Sequence, residues 1–286
     1  MANDTDFGPL FAVEDDTPHY HFRSLTSGSC GNCSILGYKD DYLILDAGLG
    51  IRLFQREVKR LGIQDQHFKG LLITHNHADH IRAAAPIAQK YCIPIYTTPE
   101  VCQTLRYNRR ISGDITAYLR PIEVEMTFNI GEMRVKAFDV PHDAIRNVGF
   151  TITSPAGVFS LITDIGSVTP RITKAIRDSN FLIFESNYDE QMLQTGAYPL
   201  HLKNRITGEK GHISNQVSAE TIAENYHSGL KFIALCHLSG ENNIPDLALK
   251  TVSDRLLRSE ISVDEDLKLA LLKRREPSPL FKLRNF

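Results

Sequence analysis

The sequence Gly70-Leu-Leu-Ile-Thr-His75-Asn-His77-Ala-Asp79-His80 organises this chain. It begins with an apolar run typical of a buried strand and continues with three histidines and one aspartate within six residues. Imidazole rings are costly in an apolar core because each ring nitrogen needs a partner, whereas neutral imidazole is a common metal ligand. The cluster therefore indicates a metal site, and a solvated polar loop is the alternative.

Polar side chains also end three other apolar segments: His142, Asp164 and His237 follow the segments that begin at residues 135, 158 and 232. For each of these three, a loop or capping role is the alternative to metal ligation. Together with the first cluster they give seven candidate ligands at four strand ends: His75, His77, Asp79, His80, His142, Asp164 and His237. Seven ligands are more than one zinc ion uses and suit two ions. A set of imidazoles and carboxylates fits zinc, manganese or iron.

Length and composition describe a globular chain of 286 residues, long enough for one large domain or two ordinary ones. The net charge of −2 argues against a broad non-specific nucleic-acid surface, although a local basic groove is compatible with it. There is no apolar run long enough to span a bilayer and no signal peptide, which predicts a cytoplasmic protein without a membrane partner. Five scattered cysteines indicate reduced thiols.

The predicted order of elements is rich in strands, with helices inserted between them. Residues 1–19 are acidic and aperiodic and are predicted to form a flexible N-terminal extension, and a polar loop is predicted from Asn187 to Gly211. No repeat or linker divides residues 20–286. The pattern predicts a single domain of the α/β (α+β) class, in which two sheets are covered by helices.

The order T-H-x-H-x-D-H followed by a His, an Asp and a His resembles the metallo-β-lactamase fold superfamily, over residues 21 to about 275. The resemblance implies a four-layer αββα sandwich with two metal ions. It implies that His75, His77 and His142 hold one ion, that Asp79, His80 and His237 hold the other, and that Asp164 bridges them. It also implies that residues 20–286 form the hydrolase domain.

A narrower resemblance, to the YycJ/WalJ-like subfamily, rests on several short motifs: Ser27-Gly-Ser-Cys-Gly-Asn-Cys33, Asp46-Ala-Gly48, Pro141-His-Asp-Ala144, Thr163-Asp-Ile-Gly166, Glu185-Ser-Asn-Tyr-Asp189 and Gly211-His-Ile-Ser-Asn215. That subfamily consists of single-domain metallohydrolases associated with 5′→3′ DNA exonuclease activity. Arg146 stands where the pattern has a proline, and no β-CASP insertion is evident. The resemblance therefore implies a DNA substrate.

The chemistry of such a site suits phosphodiester hydrolysis. Two neighbouring cations lower the pKa of a bridging water to about 7 and neutralise charge on the phosphoryl and leaving oxygens. The predicted catalytic residues are Asp79 and His212, and His212 is the hypothetical proton donor to the leaving oxygen. Glu185 and Asn187 are expected to orient the ligands or a loop.

Further residues are candidates for substrate binding. Lys203 and Arg205 are cations in the predicted polar loop, and Ser214 and Asn215 follow it at the start of a predicted helix; helix N-terminal amides and nearby cations can bind phosphate. Ser29 and Asn32 lie in a glycine-rich turn, where turn geometry explains them nearly as well. A solvated charged loop is the alternative for Lys203 and Arg205. A second basic patch, formed by Arg106, Tyr107, Arg109 and Arg110, is better explained as an exposed helix face.

Three other functions fit parts of the pattern. The alternatives to a DNA exonuclease are a phosphodiesterase for small cyclic or nucleotide diesters and a regulatory protein that binds metal without cleaving nucleic acid. An oxygen-reducing di-iron enzyme would need a flavin domain, and no G-x-G-x-x-G motif follows a strand. We therefore expect two divalent metal ions and no organic cofactor, and we make no prediction of the oligomeric state.

Overall fold

The computed structural model describes residues 17–108 and 114–284. The first of its two sheets has seven strands: β1 (His19–Thr26), β2 (Cys33–Tyr38), β3 (Asp41–Leu45), β4 (Phe68–Leu72), β5 (Ile95–Thr97), β6 (Leu119–Pro121) and β14 (Phe281–Arg284). Their spatial order is β14-β1-β2-β3-β4-β5-β6. Strands β3 to β6 run parallel to one another, whereas β14, β1, β2 and β3 pair in antiparallel fashion.

The second sheet also has seven strands: β7 (Thr127–Ile130), β8 (Met133–Asp139), β9 (Val148–Ser154), β10 (Gly157–Ile162), β11 (Phe181–Glu185), β12 (Phe232–Cys236) and β13 (Lys268–Leu271). Their spatial order is β13-β12-β11-β10-β9-β8-β7. Strands β10 to β13 are parallel, and β7 to β10 are antiparallel. Each sheet therefore contains four neighbouring parallel strands whose carboxyl ends lie on the same side.

The described helices are α1 (Ile51–Leu61), α2 (Ala78–Ile81), α3 (Ala84–Tyr91), α4 (Pro99–Tyr107), α5 (Pro170–Asp178), α6 (Glu190–Thr195), α7 (Leu200–Thr207), α8 (Asn215–Asn225) and α9 (Pro245–Leu257). Two 3₁₀ turns, Asp65–His67 and Thr116–Tyr118, complete the described elements. Within the described ranges, no helix combines the length and the apolar character that a membrane crossing requires.

Three apolar cores separate four layers. One core lies between α1, α3, α4 and the first sheet, the second lies between the sheets, and the third lies between the second sheet and α5, α8 and α9. Successive residues of a strand point to opposite faces, so Leu71 enters the first core and Leu72 the second, while Ile183 and Phe184 enter the second and third. Both faces of each sheet are covered by another layer, which explains why the apolar runs in the parallel strands are continuous. The predicted αββα sandwich is confirmed.

The loop prediction for Asn187 to Gly211 is wrong in part, because this segment contains α6 and α7. Asp189 caps α6 by accepting a hydrogen bond from the Met192 backbone nitrogen at 2.8 Å. Both helices are short and mostly polar, so they have little apolar periodicity to reveal them in the sequence. Of the predicted extension 1–19, residues 1–16 lie outside the described residues, and His19 already begins β1. Arg109 and Arg110 of the predicted basic patch also lie outside them.

Candidate metal centre

His75 follows β4 and is completely buried. Its Nδ1 lies 2.9 Å from the Thr74 hydroxyl oxygen, and that hydroxyl donates in turn to Asp46 Oδ2 at 3.0 Å. Burial, followed by the nearby His80, holds the pKa of His75 well below its ordinary value. The ring is therefore neutral, which is the form that binds metal ions, and its Nδ1 contact leaves Nε2 as the free ligand atom.

His75, His77 and His142 form a first group whose candidate ligand atoms all lie within 4.8 Å of one another. His142 comes from the loop between β8 and β9, in the other sheet. Its Nδ1 donates to the Gly211 carbonyl at 3.0 Å, so its Nε2 is left to face the group. Burial lowers the pKa of His142, which again favours the neutral ring.

Asp79, His80 and His237 form a second group, with the same 4.8 Å limit. His80 is held from behind, because its Nδ1 donates to Asp46 Oδ2 at 2.8 Å. Burial alone would lower the pKa of His80, but the carboxylates of Asp164 and Asp46 raise it well above its ordinary value. A cation bound here would have to displace the proton from Nε2, so binding would release a proton.

Asp164 joins the two groups. Its Oδ1 lies 2.9 Å from His237 Nδ1 and 3.6 Å from His142 Nε2, and its Oδ2 lies 3.3 Å from His80 Nε2. Burial opposes ionisation of this carboxyl, yet the nearby His237 and His80 hold its pKa well below the ordinary value. A buried carboxylate with imidazoles on both sides suits a ligand shared between cations.

Three side chains of the centre extend from backbone in the left-handed region. Asp46, Asp164 and His237 have φ values of 57°, 56° and 54°. Asp46 and His237 directly follow β3 and β12, and Asp164 is the second residue after β10. This conformation costs roughly 1–2 kcal/mol for a residue with a Cβ atom. Such strain is typical of functional sites, where the surrounding structure holds a side chain in a required position.

The donor set fits metal ions. In the described part of the chain, Nε2 of His75 is a buried ring nitrogen of the centre that makes no hydrogen bond. An unsatisfied buried polar atom is costly, and a bound cation would satisfy it. The mixture of imidazoles and carboxylates, without a thiolate, is suited to zinc, manganese or iron.

His212 stands beside both groups. Its ring centroid lies 5.1 Å from that of His142 and 5.2 Å from that of His237. Its Nδ1 donates to Glu185 Oε1 at 2.6 Å, while the other Glu185 oxygen accepts from the Ile165 backbone nitrogen. Burial would lower the pKa of His212, but Glu185 outweighs it and raises the pKa to about 9.

Comparison with known proteins identifies the family. A model described as the beta-lactamase superfamily domain matches residues 42–228. The chain belongs to this superfamily. Exodeoxyribonuclease YycJ of Bacillus anthracis is 32% identical over 251 residues, which cover 86% of this chain and 92% of the relative. Exodeoxyribonuclease WalJ of Streptococcus pneumoniae is 29% identical over 250 residues, covering 87% and 93%. These names agree with the YycJ/WalJ-like resemblance and with a nuclease.

Solved structures show the same fold. Zinc-bound PqqB from Methylobacterium extorquens superimposes with a TM-score of 0.68 at 16% identity, covering 91% of this chain and all of the other. YhfI from Bacillus subtilis, a metallo-β-lactamase fold protein, gives 0.64 at 15% identity, covering 90% and 99%. These structures agree with the fold, and the family match together with the two curated relatives makes the chain an enzyme, a hydrolase of the metallo-β-lactamase fold.

The glycine-rich turn that contains Ser29 and Asn32 contacts the candidate metal centre directly. Asn32 is buried, and its Nδ2 lies 3.2 Å from Asp79 Oδ2 and 2.9 Å from His80 Nε2. The Ser29 hydroxyl accepts from Arg274 Nη2 at 3.2 Å, on the outer side of the same turn. Asn32 therefore holds two candidate ligands in place, and Ser29 contacts a guanidinium group.

The predicted substrate residues of the 200–215 segment occupy two environments. Arg205 pairs with Asp143, next to His142, and Lys203 donates to the Gln194 carbonyl at 2.6 Å. Ser214 caps α8 by accepting from the Val217 nitrogen at 3.2 Å, and it donates to Glu190 at 2.8 Å. Asn215 is buried and accepts from the Ser186 hydroxyl at 2.6 Å. The structure thus brings His212 to the centre and leaves Ser214 and Asn215 in a buried polar network.

No supporting role was predicted for Asp46 or Thr74, which contact the candidate ligands His80 and His75. Asp46 stands in one of the short motifs of the narrower resemblance, and the other signal in the sequence is a polar residue after an apolar strand. Asn187 contacts the His237 carbonyl through its Nδ2 at 2.7 Å, as expected for an orienting residue. Arg146, the departure from the subfamily pattern, pairs with Asp139 and Glu100 and ties the His142 loop to α4.

Proposed function

We propose that this hydrolase is a metal-dependent phosphodiesterase that degrades DNA as a 5′→3′ exonuclease. The observation that carries the proposal is the arrangement of seven candidate ligands as two sets of three joined by the Asp164 carboxylate. The relatives named exodeoxyribonucleases support it, because their similarity extends over 86% and 87% of this chain. A DNA substrate also agrees with the cytoplasmic location predicted from the sequence.

In this proposal, His75, His77 and His142 hold one divalent ion, and Asp79, His80 and His237 hold a second, with Asp164 between them. Zinc and manganese are the candidate metals, and iron is compatible with the same ligands. When bound, the ions supply Lewis acidity to the attacking water and neutralise charge on the phosphoryl group.

Asp79 is the candidate that orients the attacking water. Its side chain is 21% exposed, in contrast to the fully buried side chain of His80 beside it. Asn32 contacts Oδ2 and thereby holds the carboxylate, while Oδ1 has no hydrogen-bond donor among the described residues. The free oxygen can accept a hydrogen bond from water at the edge of the centre.

His212 is the candidate that protonates the leaving oxygen. Its ring is 21% exposed and stands next to both sets of ligands. Because Glu185 accepts from Nδ1, the tautomer and orientation of the ring are fixed and Nε2 carries the transferable proton. General acids of this kind contribute about 10²–10⁴-fold to the rate.

The test is degradation of duplex DNA labelled at either the 5′ or the 3′ end by protein reconstituted with Mn²⁺ or Zn²⁺. With the 5′ label we expect immediate release of the labelled mononucleotide. With the 3′ label we expect progressive shortening of the strand, with the labelled nucleotide released last. Asp79→Asn protein, in which the side chain keeps its shape, is expected to give neither result.

Two outcomes would redirect the proposal. Turnover of a small aryl phosphodiester without DNA cleavage would favour a small-molecule phosphodiesterase. Metal binding without hydrolysis of either substrate would favour the regulatory alternative.

A further inference from the structure

Arg274 lies against the glycine-rich turn, just after β13, and its side chain is half-buried. Its Nη2 donates to the Ser29 hydroxyl at 3.2 Å. The guanidinium packs closely against Gly240, where a Cβ atom would lie 1.9 Å from Nη1, and its stem packs against Gly28. Two positions without a side chain therefore leave the space that this arginine occupies.

Arg82 reaches the same turn from the other side. It caps the C-terminus of α2 and is exposed, and its Nη1 donates to the Cys30 carbonyl at 3.4 Å. The Cys30 thiol in turn donates to the Arg274 carbonyl at 3.3 Å. The guanidinium groups of Arg274 and Arg82 thus both contact this turn, at Ser29 and Cys30 respectively. We call these two residues the arginine pair.

The arginine pair borders the half of the centre formed by Asp79, His80 and His237. Asn32, in the same turn, contacts Asp79 and His80. Gly240, against which Arg274 packs, is three residues after His237 in the chain. The turn therefore connects the arginine pair to the candidate ligands.

Charge distinguishes the arginine pair from two other arginines near the centre, Arg205 and Arg146. Arg205 is neutralised by Asp143, and Arg146 by Asp139 and Glu100. Throughout residues 17–108 and 114–284, neither Arg82 nor Arg274 forms an ion pair with a carboxylate. Two guanidinium groups without an acidic partner are prepared for an anion, and their planar donors match phosphate oxygens.

The geometry points to the arginine pair as a clamp for backbone phosphates of the DNA strand, beside the bond that is cut. The inference rests on the proposed function for its choice of ligand. Each guanidinium would donate to one phosphate next to the scissile position and release a condensed counterion on binding. The acidic balance of the whole chain is compatible with this, because only two local cations are required.

The test is binding of a fluorescein-labelled, phosphorothioate-protected single-stranded oligonucleotide to metal-loaded protein, followed by anisotropy over a range of salt concentrations. Arg82→Gln, Arg274→Gln and the double variant are compared with wild type. Arg258→Gln is the matched control, because Arg258 is exposed at the far end of α9. DNA and RNA of the same sequence form the two arms, and metal content is measured for each protein.

Each single substitution is expected to weaken DNA binding by about tenfold and to reduce the slope of log affinity against log salt by about one, with both effects adding in the double variant. The control is expected to match wild type. If the double variant also binds RNA more weakly, the clamp contacts phosphates of both polymers. If its affinity for RNA is unchanged, the clamp discriminates in favour of DNA. A double variant that keeps wild-type DNA affinity and salt slope overturns the inference.

The same measurements separate this inference from the proposed function. If wild-type protein binds DNA with the arginine-dependent slope but releases no nucleotide, the clamp is supported and the exonuclease proposal fails. If it degrades DNA while the double variant binds DNA unchanged, the clamp fails and the exonuclease proposal stands. A wild-type protein that does not bind DNA contradicts both.

Discussion

Asp46 Oδ2 lies 2.8 Å from His80 Nδ1, and both side chains are buried at the carboxyl end of the first sheet. This contact fixes the ring so that Nε2 faces Asp164 and Asp79. Asp46 also accepts hydrogen bonds from the backbone nitrogen and the hydroxyl of Thr74. One carboxylate therefore positions two candidate ligands, His80 directly and His75 through the Thr74 hydroxyl.

Replacing Asp46 with Asn is expected to lower metal affinity by about 10–100-fold, as for other residues that orient a metal-binding histidine. The reason is that the amide carries no charge to stabilise the Nδ1–H form of His80. Metal retention against a chelator, followed by mass spectrometry, measures the effect. Asp41→Asn, at the other end of β3, is the matched control. Equal retention in the two variants would remove Asp46 from this role.

Replacing His212 with Asn is expected to slow DNA cleavage by about 10²-fold or more, because the leaving alkoxide then lacks a proton donor. The loss should be much smaller for an aryl phosphodiester, whose leaving group needs no proton. The exposed His201 on α7 supplies the control variant, His201→Asn. Rates for both substrates give the comparison, and an equal loss on both would assign His212 a different role.

Gly48 allows three chain segments to meet. A Cβ atom there would lie 1.5 Å from the Asp79 carbonyl oxygen and 2.6 Å from the Asn32 nitrogen. Gly48→Ala is expected to destabilise the fold by about 1–3 kcal/mol and to displace Asp79, lowering metal affinity. Gly50→Ala is a close control because a Cβ atom there meets nothing within 4 Å. Urea unfolding and metal titration measure both effects, and similar results for the two alanines would contradict this prediction.

His21 makes the stability depend on pH. Burial, followed by His19 on the same strand and Lys282 on β14, lowers the pKa of His21 from 6.5 to about 4. The unfolded chain then binds the proton more tightly, so this contribution is intact above pH 6.5 and is lost as the pH falls towards 4. After allowance for solvent screening, protonation of His21 lowers the free energy of unfolding by about 2 kcal/mol over this pH range.

Urea unfolding at several pH values tests this dependence. His21→Gln is expected to flatten the stability curve between pH 6.5 and 4, because glutamine does not titrate. Lys282→Gln is expected to flatten it partly, since one cause of the lowered pKa is removed. Curves parallel to that of wild type would assign the pH dependence to other groups.

The sequence was sufficient to predict the layered fold and the strand ends that carry His75, Asp164 and His237, because parallel strands place their carboxyl ends together. It was not sufficient for contacts that depend on which strands are neighbours. Arg274 and Ser29 are separated by 245 positions in the chain, and nothing local to either residue indicates their contact. The short helices α6 and α7 were missed for a different reason, because both are too short and too polar to show apolar periodicity.

The candidate ligands come from both sheets: His75 and its neighbours follow β4, whereas Asp164 and His237 follow β10 and β12. Bound ions would therefore fasten the two halves of the sandwich at one end only. Amide hydrogens at the carboxyl ends of β4 and β12 should exchange more slowly in loaded protein than in chelated protein. Amide hydrogens at the amino ends of the same strands should exchange equally in the two forms. The local stability of one end of the sandwich would then depend on bound metal, and that of the other end on packing alone.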